Sequence, residues 1–134
     1  MPIVGFNFEK IMVERKNKIT GKLDIKNNLT ITNVEKEKLN ITNSEDILKF
    51  NFNYTVNYQP EVGQININGH LLLMESPKQI KDILIDWEKQ QKLPKDLAPQ
   101  ILNTILSKCN IKSLSLSQEV GLPPHVRLPL IRNK

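Results

Sequence analysis

The sequence holds one cysteine, Cys109, two histidines and one tryptophan among 134 residues, and only 5% of its residues are aromatic. A lone thiol cannot close an internal disulfide or build a cysteine zinc cage, and it fits a reducing compartment. The five glycines, Gly5, Gly21, Gly63, Gly69 and Gly121, are widely separated. None opens a phosphate loop, so nucleotide hydrolysis through such a loop is excluded. His70 and His125 stand in no spacing with carboxylates that suits a zinc or hydrolase site. Long apolar runs are missing too: stretches such as Leu71-Leu72-Leu73-Met74 fall far short of the roughly 20 residues needed to cross a bilayer. The N-terminus lacks a basic region followed by an apolar one, so no signal peptide is expected and the reading is cytoplasmic, without membrane insertion. Without a secretion signal, the glycosylation-like patterns at Asn28, Asn40 and Asn53 carry no weight.

What is present is an ordinary globular balance, 39% hydrophobic and 25% charged, over a length that suits one domain spanning residues 1–134. The net charge is +5 and the isoelectric point about 9.4. Residues 1–74 hold nine Lys/Arg against eight Asp/Glu, and residues 75–134 hold ten against six. Because Lys78, Lys81, Lys89, Lys92 and Lys95 interleave with Asp82, Asp86, Glu88 and Asp96, the excess reads as a solvated helix surface. A nucleic-acid patch is the alternative.

Leu48, Phe50, Phe52, Tyr54, Val56 and Tyr58 alternate with Lys49, Asn51, Asn53, Thr55 and Asn57, the pattern of a strand with one buried face. Its polar second face points to an antiparallel sheet. Pro60 and Gly63 interrupt the pattern before Ile65 and Ile67 resume it, which predicts a hairpin. Leu23, Ile25, Leu29 and Ile31 share one parity in an earlier strand. In the first strand the parity moves from Phe6 and Phe8 to Ile11 and Val13, which predicts a bulge near Glu9 and Lys10. Four strands are therefore expected over residues 3–74, with 33–46 as a polar crossover or mobile loop. His70 to Met74 offers apolar groups on both faces, so the second face is expected to be covered there, by a helix of the same chain before a partner subunit or a bound segment.

Ser76-Pro77-Lys78-Gln79 combines an N-cap serine, a proline at the first helical position and a glutamine able to close a capping box. Ile80, Ile83, Leu84 and Trp87 then form one apolar stripe. Leu97, Ile101, Leu102, Ile105, Leu106 and Cys109 predict a second helix, with Pro99 in its first turn, a break near Asn110 and Gly121 as the final stop near residue 120. The prolines at 123, 124 and 129 make residues 121–134 an extended tail, and Leu122, Val126, Leu128 and Leu130 imply that it lies on the domain. The fold class is thus α+β, a four-stranded antiparallel sheet followed by two helices and an extended tail. Cys109 reads as a core thiol, and Asp82 and Asp86 as solvent-facing charges. No enzyme, metal site or cofactor emerges.

This order of elements, and the tail above all, resembles the SecB-like protein-export chaperones. In that family a glycine after the helical region is followed three residues later by proline, then by alternating aliphatics and another proline. Here Gly121, Pro124, Val126 and Leu128 take those places, and Pro129 comes one residue early. Pro99-Gln100-Ile101-Leu102 also looks like the family's helical opening. Typical members are acidic, with an acidic tail that meets the SecA motor, whereas this chain is basic and ends Ile131-Arg132-Asn133-Lys134. The resemblance implies a non-enzymatic chaperone without a cofactor, a homo-oligomer (dimer or tetramer) that holds unfolded polypeptide clients in apolar grooves. The residues expected to line those grooves are Phe6 and Phe8 on the first strand, Leu72 and Met74 on the fourth, and Leu84 and Trp87 on the first helix. A basic ribosome- or RNA-associated protein is the competing reading, and a dedicated chaperone with one client is the third.

Overall fold

A computed structural model of the chain describes residues 3–19, 21–37 and 46–126. Four strands, β1 (Ile3–Arg15), β2 (Asp24–Glu37), β3 (Asp46–Gln59) and β4 (Gly63–Glu75), precede helices α1 (Pro77–Gln90) and α2 (Ala98–Glu119). All neighbouring strands run antiparallel, in the order β1-β4-β3-β2. The alternation of β3 and β4 is expressed in full. Leu48, Phe50, Phe52, Tyr54, Val56 and Tyr58 are buried beside Ile65, Ile67, Leu71 and Leu73, and both helices pack on that face. The opposite face is a ladder of asparagines in which Asn33, Asn51, His70 and Asn7 share one rung.

The expected bulge at Glu9 is present as a register shift between Phe8 and Lys10. A second shift lies between Ile3 and Gly5, and a third, between Ile31 and Asn33, moves the buried parity of β2 from Ile31 to Val34. The connection assigned to residues 33–46 needs correction. Asn33, Val34, Glu35, Lys36 and Glu37 belong to β2 and pair with β3 back to Ile47, so this part of the chain forms an antiparallel pair, not a crossover. Residues 38–45 lie outside the described residues. The passage from one sheet edge to the other falls between β1 and β2 and starts beneath the β3–β4 turn. There Lys16 N–H donates to the Val62 carbonyl at 2.8 Å, and the Asn17 side-chain amide donates to the Glu61 carbonyl at 2.8 Å. Polarity alone cannot separate an edge strand from a loop, because half of an edge strand also faces water.

Ser76 caps α1 by accepting from the Gln79 N–H at 3.5 Å, and Pro77 opens the helix. Ile80, Ile83 and Trp87 are buried against β2 and β3. The expected break in α2 is absent: the helix runs unbroken from Ala98 to Glu119. Asn110 does not end the helix because its side chain is engaged by Tyr54, whose hydroxyl donates to Asn110 Oδ1 at 2.7 Å. Beyond it, Ser113, Leu116 and Ser117 continue the buried stripe, with small residues allowing close approach to the sheet. Gly121 ends the helix with φ +72°. Its N–H donates to the Gln118 carbonyl at 3.3 Å and the Leu122 N–H to the Ser117 carbonyl at 2.8 Å, the paired bonds of a Schellman stop.

Gly69 pairs with Phe8 on one side and Phe52 on the other. A Cβ there would collide with the Asn7 carbonyl and come within 2.8 Å of the Phe52 ring. Gly69→Ala is therefore expected to destabilise the fold by ~2 kcal/mol through overpacking, read as a lower midpoint in urea unfolding with an unchanged slope.

Candidate functional site

With no catalytic constellation in the sequence, the functional surface is sought where apolar side chains remain partly open to water. Among the described residues, the six groove candidates fall in four such regions. Phe6 and Phe8 lie at the β1 edge on the helix-bearing face, edge-to-face at 5.2 Å, with Phe6 stacked on Phe52 at 5.4 Å. Lys108 Nζ stands 5.4 Å from the Phe6 ring centroid, a cation–π contact that ties α2 to this edge. Leu72 and Met74 lie on the other sheet face, half-buried beside Gly5, Lys49 and Ile47. Ile47 is 4% exposed, so this end of the face is drier than the asparagine ladder, as the doubly apolar sequence implies. Both helices nevertheless pack on the opposite face.

Leu84 and Trp87 share α1 but serve different clefts. Leu84 lines a shallow hollow with Ile80, Ile85, Lys36 and Asp46, where Lys36 and Asp46 are paired at 3.0 Å. Trp87 is 7% exposed and forms the inner wall of a trough between the β2 edge and the helical layer. This trough, of about 400 Å³, is lined by Leu29, Ile31, Trp87, Leu93, Ala98 and Leu102, with Thr30, Gln91 and Lys92 around its mouth. Leu29, Ile31, Leu93 and Leu102 are all half-buried.

The arrangement follows from local rules. Leu29 and Ile31 project from β2 on the helix-bearing side. Leu102 belongs to a second apolar row of α2, Leu102 and Leu106, beside the fully buried Ile101 and Ile105. A helix stripe too wide to be covered by one sheet contact leaves its outer row partly open. That width, with two apolar rows on one helix and an unspent strand face, was the available signal for residues 29, 31 and 102. The sequence reading placed Leu29 and Ile31 on one strand parity and Leu102 in a helical stripe, and named none of them as a groove residue.

The tail closes the opposite end of this flank. Leu122 is buried and the Pro123 carbonyl accepts the Tyr58 hydroxyl at 2.8 Å. His125 Nε2 lies 2.9 Å from Asn110 Oδ1, and the His125 ring meets Tyr54 edge-on at 6.3 Å between centroids. The tail therefore lies on the domain as expected through Val126, and residues 127–134 lie outside the described residues. Because Asn110 Oδ1 can only accept, Nε2 carries the proton, and the buried Nδ1 has no partner. Burial holds the pKa of His125 below 6.5, since a second ring proton would be an unpaired buried donor.

A base whose folded pKa is depressed contributes stability that is fully present above the unfolded value. That contribution is lost as pH falls from 6.5 through the folded pKa, because the released tail binds the proton. The His125 imidazole resonance is therefore expected to titrate below 6.5. The melting temperature should also fall more steeply on acidification below that pH than that of His125→Gln, which keeps a donor toward Asn110 without titrating.

His70 lies on the asparagine face, paired with Glu9. Burial pushes the Cys109 thiol up to about 12, which keeps it protonated and unreactive. The Tyr58 hydroxyl is likewise pushed up to about 12, first by burial and then by Tyr54, and stays a neutral donor to Pro123. Among the described residues, no three His, Cys, Asp or Glu side chains stand together as metal ligands. No helix of the described residues is long and apolar enough to cross a membrane. What the trough offers chemically is apolar contact along β2, the edge strand of the described sheet.

No protein-family model matches the sequence, and no curated protein matches it. Among solved structures, the chain is similar to a SecB-like chaperone of Mycobacterium tuberculosis in complex with a ChAD peptide from an antitoxin. The likeness has a TM-score of 0.56 at 12% sequence identity, over 99% of this chain and 91% of that one. Four antiparallel strands followed by two helices, superposing over nearly the whole length of both chains, give this protein the SecB-like fold.

Proposed function

We propose that this protein is a non-enzymatic chaperone that binds unfolded polypeptide segments in the trough between β2 and the helices. The observation that carries the reading is a continuous lining of half-buried aliphatics, Leu29, Ile31, Leu93 and Leu102, backed by Trp87 and bordered by the edge strand β2. An extended segment laid there gains apolar contacts and can hydrogen-bond the unpaired backbone groups of the edge. The likeness to a peptide-bound SecB-like chaperone supports the same use of the fold. The chain is read as a cytoplasmic single domain, and as a homo-oligomer, dimer or tetramer, because β1 and β2 are edge strands without a further strand partner among the described residues. Leu84, Phe6, Phe8, Leu72 and Met74 are secondary apolar contacts, for clients or for sister subunits.

The test is particle mass by light scattering at low and high salt, with a reduced, alkylated α-lactalbumin added in one arm and RNA in the other. Apolar capture persists at high salt, whereas phosphate binding by lysines falls steeply. Retention of α-lactalbumin at high salt is the expected result. Binding of RNA alone, lost as salt rises, overturns the reading.

A further inference from the structure

The charges of the helical half interleave along the sequence, and the fold sorts them. Asp82 and Asp86 stand one turn apart on α1 and open, with Asp96, into a hollow beside Gln79 and Pro94. Glu88 borders a second hollow, with Lys81 and the paired Lys36 and Asp46. On the strand wall, Lys26 and Glu35 pair with Asn57 and Lys49 and so project to the asparagine face, away from the helices. Lys108 of α2 stands over the Phe6 ring at the opposite sheet edge. Among the described residues, Lys92 is therefore the one charged side chain that lines the trough, beside Gln91 and Leu93. It is exposed, and it joins none of the ion pairs of the described residues. The client cleft is thus apolar within and cationic at its mouth.

We propose that the trough selects aliphatic segments flanked by aspartate or glutamate. This deepens the client-site reading and rests on it. An extended segment that buries its aliphatics against Leu29, Ile31 and Leu102 brings its flanking residues to the mouth, where a carboxylate meets Lys92 at the margin of an apolar surface. A lysine or arginine in the same place meets a like charge, and no acid of the described lining answers it. Apolar contact supplies the affinity, and charge at the mouth decides between segments of equal apolar content. A single exposed pair shifts binding by about two- to fivefold, so the preference is graded and is screened by salt. The net charge of +5 also draws acidic segments toward the whole surface, so the test separates Lys92 from that general field.

The experiment uses the full-length chain and three fluorescent peptides that share one aliphatic core and carry glutamate, glutamine or lysine at both ends. Anisotropy titrations are run at low and high salt on the unaltered protein, on Lys92→Glu and on Lys81→Glu. Lys81→Glu makes the same change in net charge on α1 but outside the trough, and both lysines are exposed, so neither substitution disturbs the core. At low salt the glutamate peptide is expected to bind about fivefold tighter than the lysine peptide. Lys92→Glu should invert that order, Lys81→Glu should keep it, and high salt should bring all three peptides to the affinity of the glutamine peptide. An order that Lys92→Glu leaves unchanged, or that Lys81→Glu inverts equally, overturns the assignment to Lys92. Equal binding of all three peptides at low salt overturns the acidic preference and leaves the client-site reading standing. If none of the three binds, the client-site reading fails and the preference fails with it.

Discussion

Ile31→Asp combined with Leu102→Asp is expected to weaken retention of an unfolded polypeptide at least tenfold while leaving the fold intact. Both side chains line the trough from opposite walls, and both are half-buried, so each carboxylate can reach water in the empty protein. A client laid across them would seal the charges into an apolar contact. Such desolvation costs several kcal/mol per unpaired group, and ~1.4 kcal/mol already amounts to a factor of ten. The control is Leu72→Asp/Met74→Asp, equally half-buried but on the face opposite the helices. Titration of fluorescent, reduced α-lactalbumin against both variants separates the two surfaces. Equal losses would place the client elsewhere, and loss only in the Leu72/Met74 pair would move the site to the other face. Circular dichroism and the urea midpoint check that folding is unaffected.

Trp87→Ala is expected to be the most damaging single substitution on α1, destabilising the protein by ~3 kcal/mol or more. The ring is 7% exposed and joins the core formed by Phe50, Phe52 and Ile101, so its removal leaves a cavity beneath the trough. In a chain of this size that loss lowers the melting temperature by roughly 10 °C. Leu84→Ala, one turn away but half-buried, is expected to cost ~1 kcal/mol. If the two substitutions proved equal in thermal unfolding, Trp87 would be a surface anchor and not a structural wall. The contrast matters because both residues belong to the same sequence stripe and both were candidate client contacts.

That stripe shows what a linear pattern can report. Ile80, Ile83, Leu84 and Trp87 all read as one face, yet only the sheet beneath decides that Leu84 falls at its margin and Trp87 at its centre. In the same way the bulge at Glu9 was legible, because an inserted residue must shift apolar parity, and the parity shift is visible in Phe6, Phe8, Ile11 and Val13. The bulge at Thr32 was obscured, because Val34 stood among polar neighbours that read as a loop. Asn110 looked like a helix break for a related reason: its intrinsic preference is against helix interiors, and the Tyr54 hydroxyl that engages it is 56 residues away in the chain.

Residue periodicity by itself determined the four strands, the two helices, the Ser76 cap and the Gly121 stop. Each depends on neighbours within a few positions, where side-chain direction and backbone hydrogen bonding follow from local geometry. Only the tertiary structure decided the strand order, the unbroken α2 and the trough. Alternation records that a face is buried but not which strand lies beside it, and Leu29, Ile31, Trp87 and Leu102 become one surface only when β2, α1 and α2 are packed together.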